Sequence, residues 1–253
     1  MEDREKIEQH VRAVPAYLND QRMSDVLKQI PNLERRLYCL HRYIRLLDKR
    51  GANWVDDRWA YTKDEYKEWR KTEDFKLRKR EIRAIQNKFK ASNPGYWLIA
   101  GSKHRPLPEQ IGNWNKNKSV RLNSEKYYEA MEKEVRKPIY LSLDAMLEAP
   151  TPKCREGEGA SIRAFYDFLN RKSWPKPKLM VAAPGLSAHG TGLAIDFVVR
   201  KEGGPNIVTA TNAERWINTG WAGRLANAMR GAAHFSGPLK QPNEPWHWTF
   251  DPD

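Results

Sequence analysis

The stretch at residues 187–199, SAHGTGLAIDFVV, constrains the fold more than any other part of the chain. Its second half alternates as a strand does, with Leu193, Ile195, Phe197 and Val199 on one face and Ala194, Asp196 and Val198 on the other. A carboxylate on an apolar strand is costly unless something compensates its charge. His189 precedes it by seven residues, and on a continuous strand that spacing would hold the two ~23 Å apart. Two ligands of one zinc ion, each ~2.0–2.2 Å from the metal, must instead lie within ~4 Å of one another. Gly190 and Gly192 permit the reversal that would bring them together. The segment is therefore either a turn before a buried strand, with Asp196 capping a loop, or half of a metal site.

EPWHWTF, at residues 244–250, supplies a candidate for the other half. Pro245 biases Glu244 toward extended backbone, and the aromatic run reads as a strand. Alternation sends Trp246, Trp248 and Phe250 one way and His247 with Thr249 the other. A histidine on the polar face, three residues after a lone carboxylate, suits a metallohydrolase. Such a site has three protein ligands, an open position for water, and a nearby carboxylate that is not a ligand.

Together, Ser187, His189, Gly192, Ala194 and Asp196 in S-x-H-x-x-G-x-A-x-D, followed by Glu244, Trp246 and His247 in E-x-W-H, resemble the D-alanyl-D-alanine carboxypeptidase family of zinc peptidases. That family includes vancomycin-resistance carboxypeptidases and dipeptidases and phage endolysins, and is related in fold to lysostaphin-type peptidases and the hedgehog signalling domain. The resemblance covers residues 138–253. It implies one Zn2+ held by His189, Asp196 and His247, Glu244 as general base, and substrate contacts from Ser187 and Trp246. It also implies a substrate-orienting arginine upstream of the first motif. Arg163 in GASIRAFYDFLNR is the candidate, with Arg155 and Arg171 as alternatives, because the flanking glycine, tyrosine and second serine of the family pattern are missing. Phe250 stands where the family often has tyrosine. His234 is expected in a loop or beside the cleft rather than as a ligand.

The rest of the chain reads as helices and connections. Leu33, Leu37, Leu40, Ile44 and Leu47 draw one apolar stripe, Asn32 suits its start, and Gly51 its end. A second helix is expected over residues 57–90, with Trp59, Tyr66, Trp69, Ile82, Ile85 and Phe89 facing inward, and a short one near residues 7–18. His10 and His41 are expected on polar helix faces. Residues 92–137, rich in Pro, Gly, Asn and Lys, read as a linker or lid with one helix at 124–135, and His104 between Lys103 and Arg105 as a surface residue. The expected fold class is α+β: a helical region over 1–91, a candidate module for wall binding or delivery, the linker at 92–137, and a zinc peptidase domain at 138–253 with an antiparallel sheet flanked by helices.

The formal charge of +13 favours anionic surroundings. The basic run KLRKREIR at residues 76–83 is either a solvated helix face or a contact for phosphates, and no nucleic-acid-binding signature accompanies it. Two cysteines outside any C-x-x-C spacing exclude a cysteine zinc finger, and no apolar run spans a bilayer. The N-terminus MEDREKIEQH is too polar for a secretory signal. The expected substrate is the stem peptide of bacterial peptidoglycan, and anionic wall polymers are possible partners. The protein would be made in the cytoplasm and act in the periplasm or wall, as a phage lysin or as an antibacterial effector sent out by a secretion machine. The competing readings are a catalytically silent zinc-containing wall-binding module and a nucleic-acid binder acting through the basic helices.

Overall fold

The computed structural model describes residues 2–101, 104–143, 156–171, 181–240 and 242–252. Along the chain run α1 (Glu2–Tyr17), α2 (Gln21–Lys28), α3 (Leu33–Arg50), α4 (Ala52–Asp57), α5 (Lys63–Trp69), α6 (Glu73–Ser92) and β1 (Tyr96–Gly101). There follow α7 (Leu107–Lys116), α8 (Lys118–Glu134), α9 (Glu156–Arg171), β2 (Ala194–Lys201), β3 (Asn206–Val208), α10 (Ala213–Asn218), α11 (Trp221–Met229), β4 (Phe235–Ser236) and β5 (His247–Phe250). The protein is thus α+β, helical at first and with an antiparallel sheet completed toward the C-terminus. No described helix is long and apolar enough to cross a membrane.

Two compact units form, each from two separated segments. The first comprises Met1–Arg58 and Pro108–Leu186, the second Trp59–Leu107 and Ser187–Asp253. This differs from the successive segments 1–91, 92–137 and 138–253 expected from composition, because α6 and β1 share an apolar core with β2 and the C-terminal tryptophans.

In the first unit α3 follows its sequence pattern. Asn32 Oδ1 accepts from Arg35 N at 2.9 Å, and Gly51 ends the helix at φ 85°. Leu33, Leu37, Leu40 and Ile44 are buried, and the helix packs on α8 and α9. His10 and His41 are buried here, against the expectation of polar faces. Nδ1 of His41 donates to Leu169 O at 2.8 Å, and its ring lies 4.4 Å from that of Tyr127. Nδ1 of His10 donates to Lys6 O at 2.7 Å, and Nε2 accepts from Ser161 Oγ at 2.8 Å. A helical wheel read from charge counts misses such histidines because a single backbone carbonyl satisfies the ring.

Burial pushes His41 down to about 4 and lowers His10 as well. Between that value and the ordinary ~6.5, the unfolded chain takes up protons that the folded chain refuses, so stability rises with pH in that window and is lost as pH falls through it. For His41 the effect is on the order of 3 kcal/mol. Urea midpoints should drop between pH ~7 and ~4.5, and drop less in His41→Gln; parallel curves for the two proteins would refute the assignment to His41.

The second unit is built on the sheet order β1-β2-β5-β4, antiparallel throughout, with β3 also paired to β2. Ile195, Phe197 and Val199 of β2 enter the core with Ile82, Ile85 and Phe89 of α6, Leu98 of β1, and Trp216, Trp221, Trp246 and Trp248. Asp196 and Val198 face the other way, as alternation requires. The segment expected as a linker therefore contains a full strand: β1 pairs with β2 from Tyr96↔Lys201 to Gly101↔Asp196. The long helix expected over 57–90 is broken into α5 and α6. Thr62 and Glu65 form a reciprocal capping box and Thr72 caps again at Phe75 N, so each threonine starts a new helix. Only Ile82, Ile85 and Phe89 of the expected inward set share one helix face in the core.

Candidate metal centre

The turn at residues 187–193 is held almost entirely through its backbone. Gly190 N donates to Ser187 O at 2.6 Å, Leu193 N and Ala194 N both donate to Ala188 O at 3.0 Å, and Gly192 N donates to His189 O at 3.3 Å. Gly192 adopts φ 74°, a conformation that glycine enters without steric cost. These bonds fold His189 back over the start of β2, so that its ring reaches Asp196.

His247 arrives by pairing. Antiparallel β2 and β5 place Asp196 directly opposite His247, and Phe197 N donates to Trp246 O at 3.0 Å. Upstream, His247 N donates to Glu244 O at 3.0 Å and Glu244 N to Leu239 O at 2.9 Å. The resulting turn, with Pro245 at its centre, carries the Glu244 carboxyl to the same place.

Asp196 lies between the two imidazoles: Oδ2 is 3.3 Å from His189 Nε2 and Oδ1 is 3.0 Å from His247 Nδ1. One donor atom from each of the three residues lies within 4.8 Å of the others. Glu244 Oε2 stands outside this trio, 3.7 Å from His247 Nδ1. The side chains of His189, Asp196, His247 and Glu244 are all less than 18% exposed. Burial alone would raise the Asp196 carboxyl, but hydrogen bonds from both histidines hold it well below the usual carboxylate range. Burial lowers His189 despite the neighbouring carboxylate. Burial also raises Glu244, helped by repulsion from Asp196 and opposed by His247 and Arg105. His189, held toward the neutral form by burial, together with His247 and the Asp196 carboxylate makes a donor set suited to a divalent cation, which would engage all three lone pairs at once. The fit is chemical as well as spatial: two nitrogens and one carboxylate oxygen, with one non-ligand acid alongside.

The other expected site residues fall in various places. Ser187 opens the turn and is half-buried. Trp246, expected to contact substrate, is 6% exposed in the apolar core, its ring 6.3 Å from Trp216. Arg163 lies on α9 in the first unit, where Asp167 at 3.3 Å and Tyr17 Oη at 3.4 Å engage its guanidinium. Arg171 shares that helix, and Arg155 falls outside the described residues. His234 is bound by Glu81 at 2.6 Å and is not one of the three convergent residues.

The structure brings in one arginine that the sequence reading passed over. Nη2 of Arg105 donates to Asp196 Oδ2 at 3.2 Å, and Arg105 N donates to His189 O at 3.1 Å. The usable signal was YWLIAG, an apolar run of strand length ending just before Arg105. His104, expected at the surface, is instead half-buried, its Nε2 3.1 Å from Tyr61 O and its ring stacked 4.2 Å from Tyr66.

A family model described as VanY, D-alanyl-D-alanine carboxypeptidase, matches residues 74–253, starting well upstream of the motifs and taking in α6, β1 and Arg105. No curated protein and no solved structure matches the chain.

Proposed function

The chain belongs to the VanY family of D-alanyl-D-alanine carboxypeptidases, and from that premise we propose that it is a zinc-dependent peptidase cleaving an amide bond in the peptidoglycan stem peptide. The observation that carries this reading is the convergence of His189, Asp196 and His247 with Glu244 held just outside the trio. A silent binding module has no use for that fourth, non-ligand carboxylate.

When bound by His189, Asp196 and His247, a zinc ion would supply Lewis acidity toward the scissile carbonyl and acidify a coordinated water. Glu244, just outside the trio, would act as the general base and then as the acid toward the leaving amine. Its raised pKa, caused first by burial, moves its affinity for a proton toward what such shuttling needs. Arg105, paired with Asp196, holds its guanidinium beside the centre, where its charge would offset charge developing on the carbonyl oxygen. In this reading Arg105 takes the role for which the resemblance made Arg163 the candidate.

The test is to incubate the protein with sacculi and soluble stem peptides, with and without a chelator, and to weigh the products. Loss of a terminal alanine identifies a carboxypeptidase, and an internal cut an endopeptidase; cleavage that persists in chelator sinks the proposal. The α6 surface, with Lys76, Lys79, Arg80 and Arg83 and with Lys90 Nζ 3.7 Å from the half-exposed Trp97 ring, supports a further contact with anionic wall polymer. Pelleting with the same sacculi should weaken as salt rises. The work site of this family is the cell wall, which a phage lysin reaches at lysis and an antibacterial effector by secretion. Toxicity when the protein is directed to the periplasm, and none when it is held in the cytoplasm, is the expected mark of either.

A further inference from the structure

The peptide carbonyls of the 187–190 turn are all occupied, and two of their donors come from elsewhere in the chain. Tyr61 N donates to Gly190 O at 3.0 Å and Arg105 N to His189 O at 3.1 Å. The two arms that supply them are joined, since His104 Nε2 lies 3.1 Å from Tyr61 O and the His104 ring stacks on Tyr66 with an interplanar angle of 6°. Tyr66 lies 5.7 Å from Trp69, and both rings rest on the bare α-carbon of Gly192. A Cβ there would meet Tyr66 Cε2 at 2.6 Å and Trp69 Cζ3 at 2.8 Å.

Arg78 supports this stack from beneath. It is 1% exposed, its guanidinium lies 5.7 Å from the Trp69 ring and 6.0 Å from Phe75, and Nη2 reaches Ala194 O at 3.5 Å. Burial pushes Arg78 down to about 10, which still leaves it charged at neutral pH. A buried cation whose Nε has no hydrogen-bond partner among the described residues is a costly way to fill space. Stacking on two aromatic rings offsets part of that cost and fixes the rings in turn.

We propose that Tyr66 and Trp69 are positioning residues for the metal centre, a flat aromatic clamp that presses the Gly190–Gly192 reversal into the one shape in which His189 faces Asp196. Both residues precede the segment matched by the family model. The inference rests on the zinc-dependent reading. It implies that the turn and His189 lose their fixed geometry when the clamp is cut back, although all three donor side chains are still present. Outer groups that orient ligands are commonly worth ~10–100-fold in metal affinity.

The experiment measures zinc affinity of the full chain by competition with a chromogenic chelator, and the cobalt(II) absorption spectrum as a report of ligand geometry. Tyr66→Ala and Trp69→Ala should each weaken zinc by ~10–100-fold and alter the cobalt spectrum. Tyr66→Phe, which keeps the flat ring, should restore both. If an alanine variant fails to fold, Tyr66→Leu takes its place, keeping apolar volume without the flat face. Wild-type affinity and spectrum in the folded variants would overturn the clamp alone. A wild-type protein that takes up no zinc would instead overturn the reading on which it rests.

Discussion

Glu244→Gln protein is expected to bind zinc as tightly as the parent and to hydrolyse stem peptide ~10²–10⁴-fold more slowly, the range that general acid–base groups contribute. The amide matches the carboxylate in shape and keeps the turn, whose bonds run through the backbone of Leu239, Glu244 and His247. It cannot accept a proton. Oε2 of Glu244 is 3.7 Å from His247 Nδ1 and is not one of the three convergent donor atoms, so the metal should not depend on it. The decisive comparison is turnover against affinity in one preparation. Near-normal turnover would remove Glu244 from the reaction, and a parallel fall in zinc affinity would make it a ligand instead of a base.

Phe197→Ala is expected to cost ~3–5 kcal/mol in urea denaturation, as truncation of a buried aromatic does when the surroundings cannot close the gap. Phe197 is fully buried, sits between Asp196 and Val198 on β2, and faces Ala100 across the β1 pairing. Its side chain enters the core from the opposite face of the strand to the Asp196 carboxylate. Set against a typical total of ~5–15 kcal/mol, the loss would leave a protein close to its threshold. Saturating zinc should recover part of the stability, because a ligand that binds only the folded state adds RT ln(1 + [L]/Kd). A loss below ~1 kcal/mol would mean that the centre of β2 is not the anchor of this core.

The parts of this site that were legible in the sequence are those set by short-range pattern. Asp196 stands out because it interrupts an apolar alternation, and Gly190 with Gly192 announces the reversal that returns His189 to it. His247 was readable for the same reason. What was hidden depends on partners distant in sequence. YWLIAG is too short for periodicity to separate strand from buried helix, and only its pairing with β2 decides. Arg105 was hidden with it, because a residue read as part of a linker has no face to be assigned to. For Trp246 the resemblance and the alternation disagree: the resemblance implies a substrate contact, whereas alternation turns the ring toward the core, where it is 6% exposed. The break between α5 and α6 was marked by Thr62 and Thr72, two caps that a search for apolar stripes passes over.

The pairing of β1 with β2 joins Gly101 to Asp196, 95 residues further along the chain. At ~5–20 residues per second on a ribosome, β1 waits several seconds before its partner emerges, and the first unit's second segment is synthesised in the interval. Until then a strand of Tyr, Trp, Leu and Ile stands with an unsatisfied edge, the kind of surface that nascent chains lose to aggregation or hand to chaperones. Low contact order is not open to this topology, so slow refolding from denaturant should accompany it. Yield in heterologous expression would then be governed by how long that strand goes unpaired, and slower translation between residues 101 and 196 would lengthen the exposure.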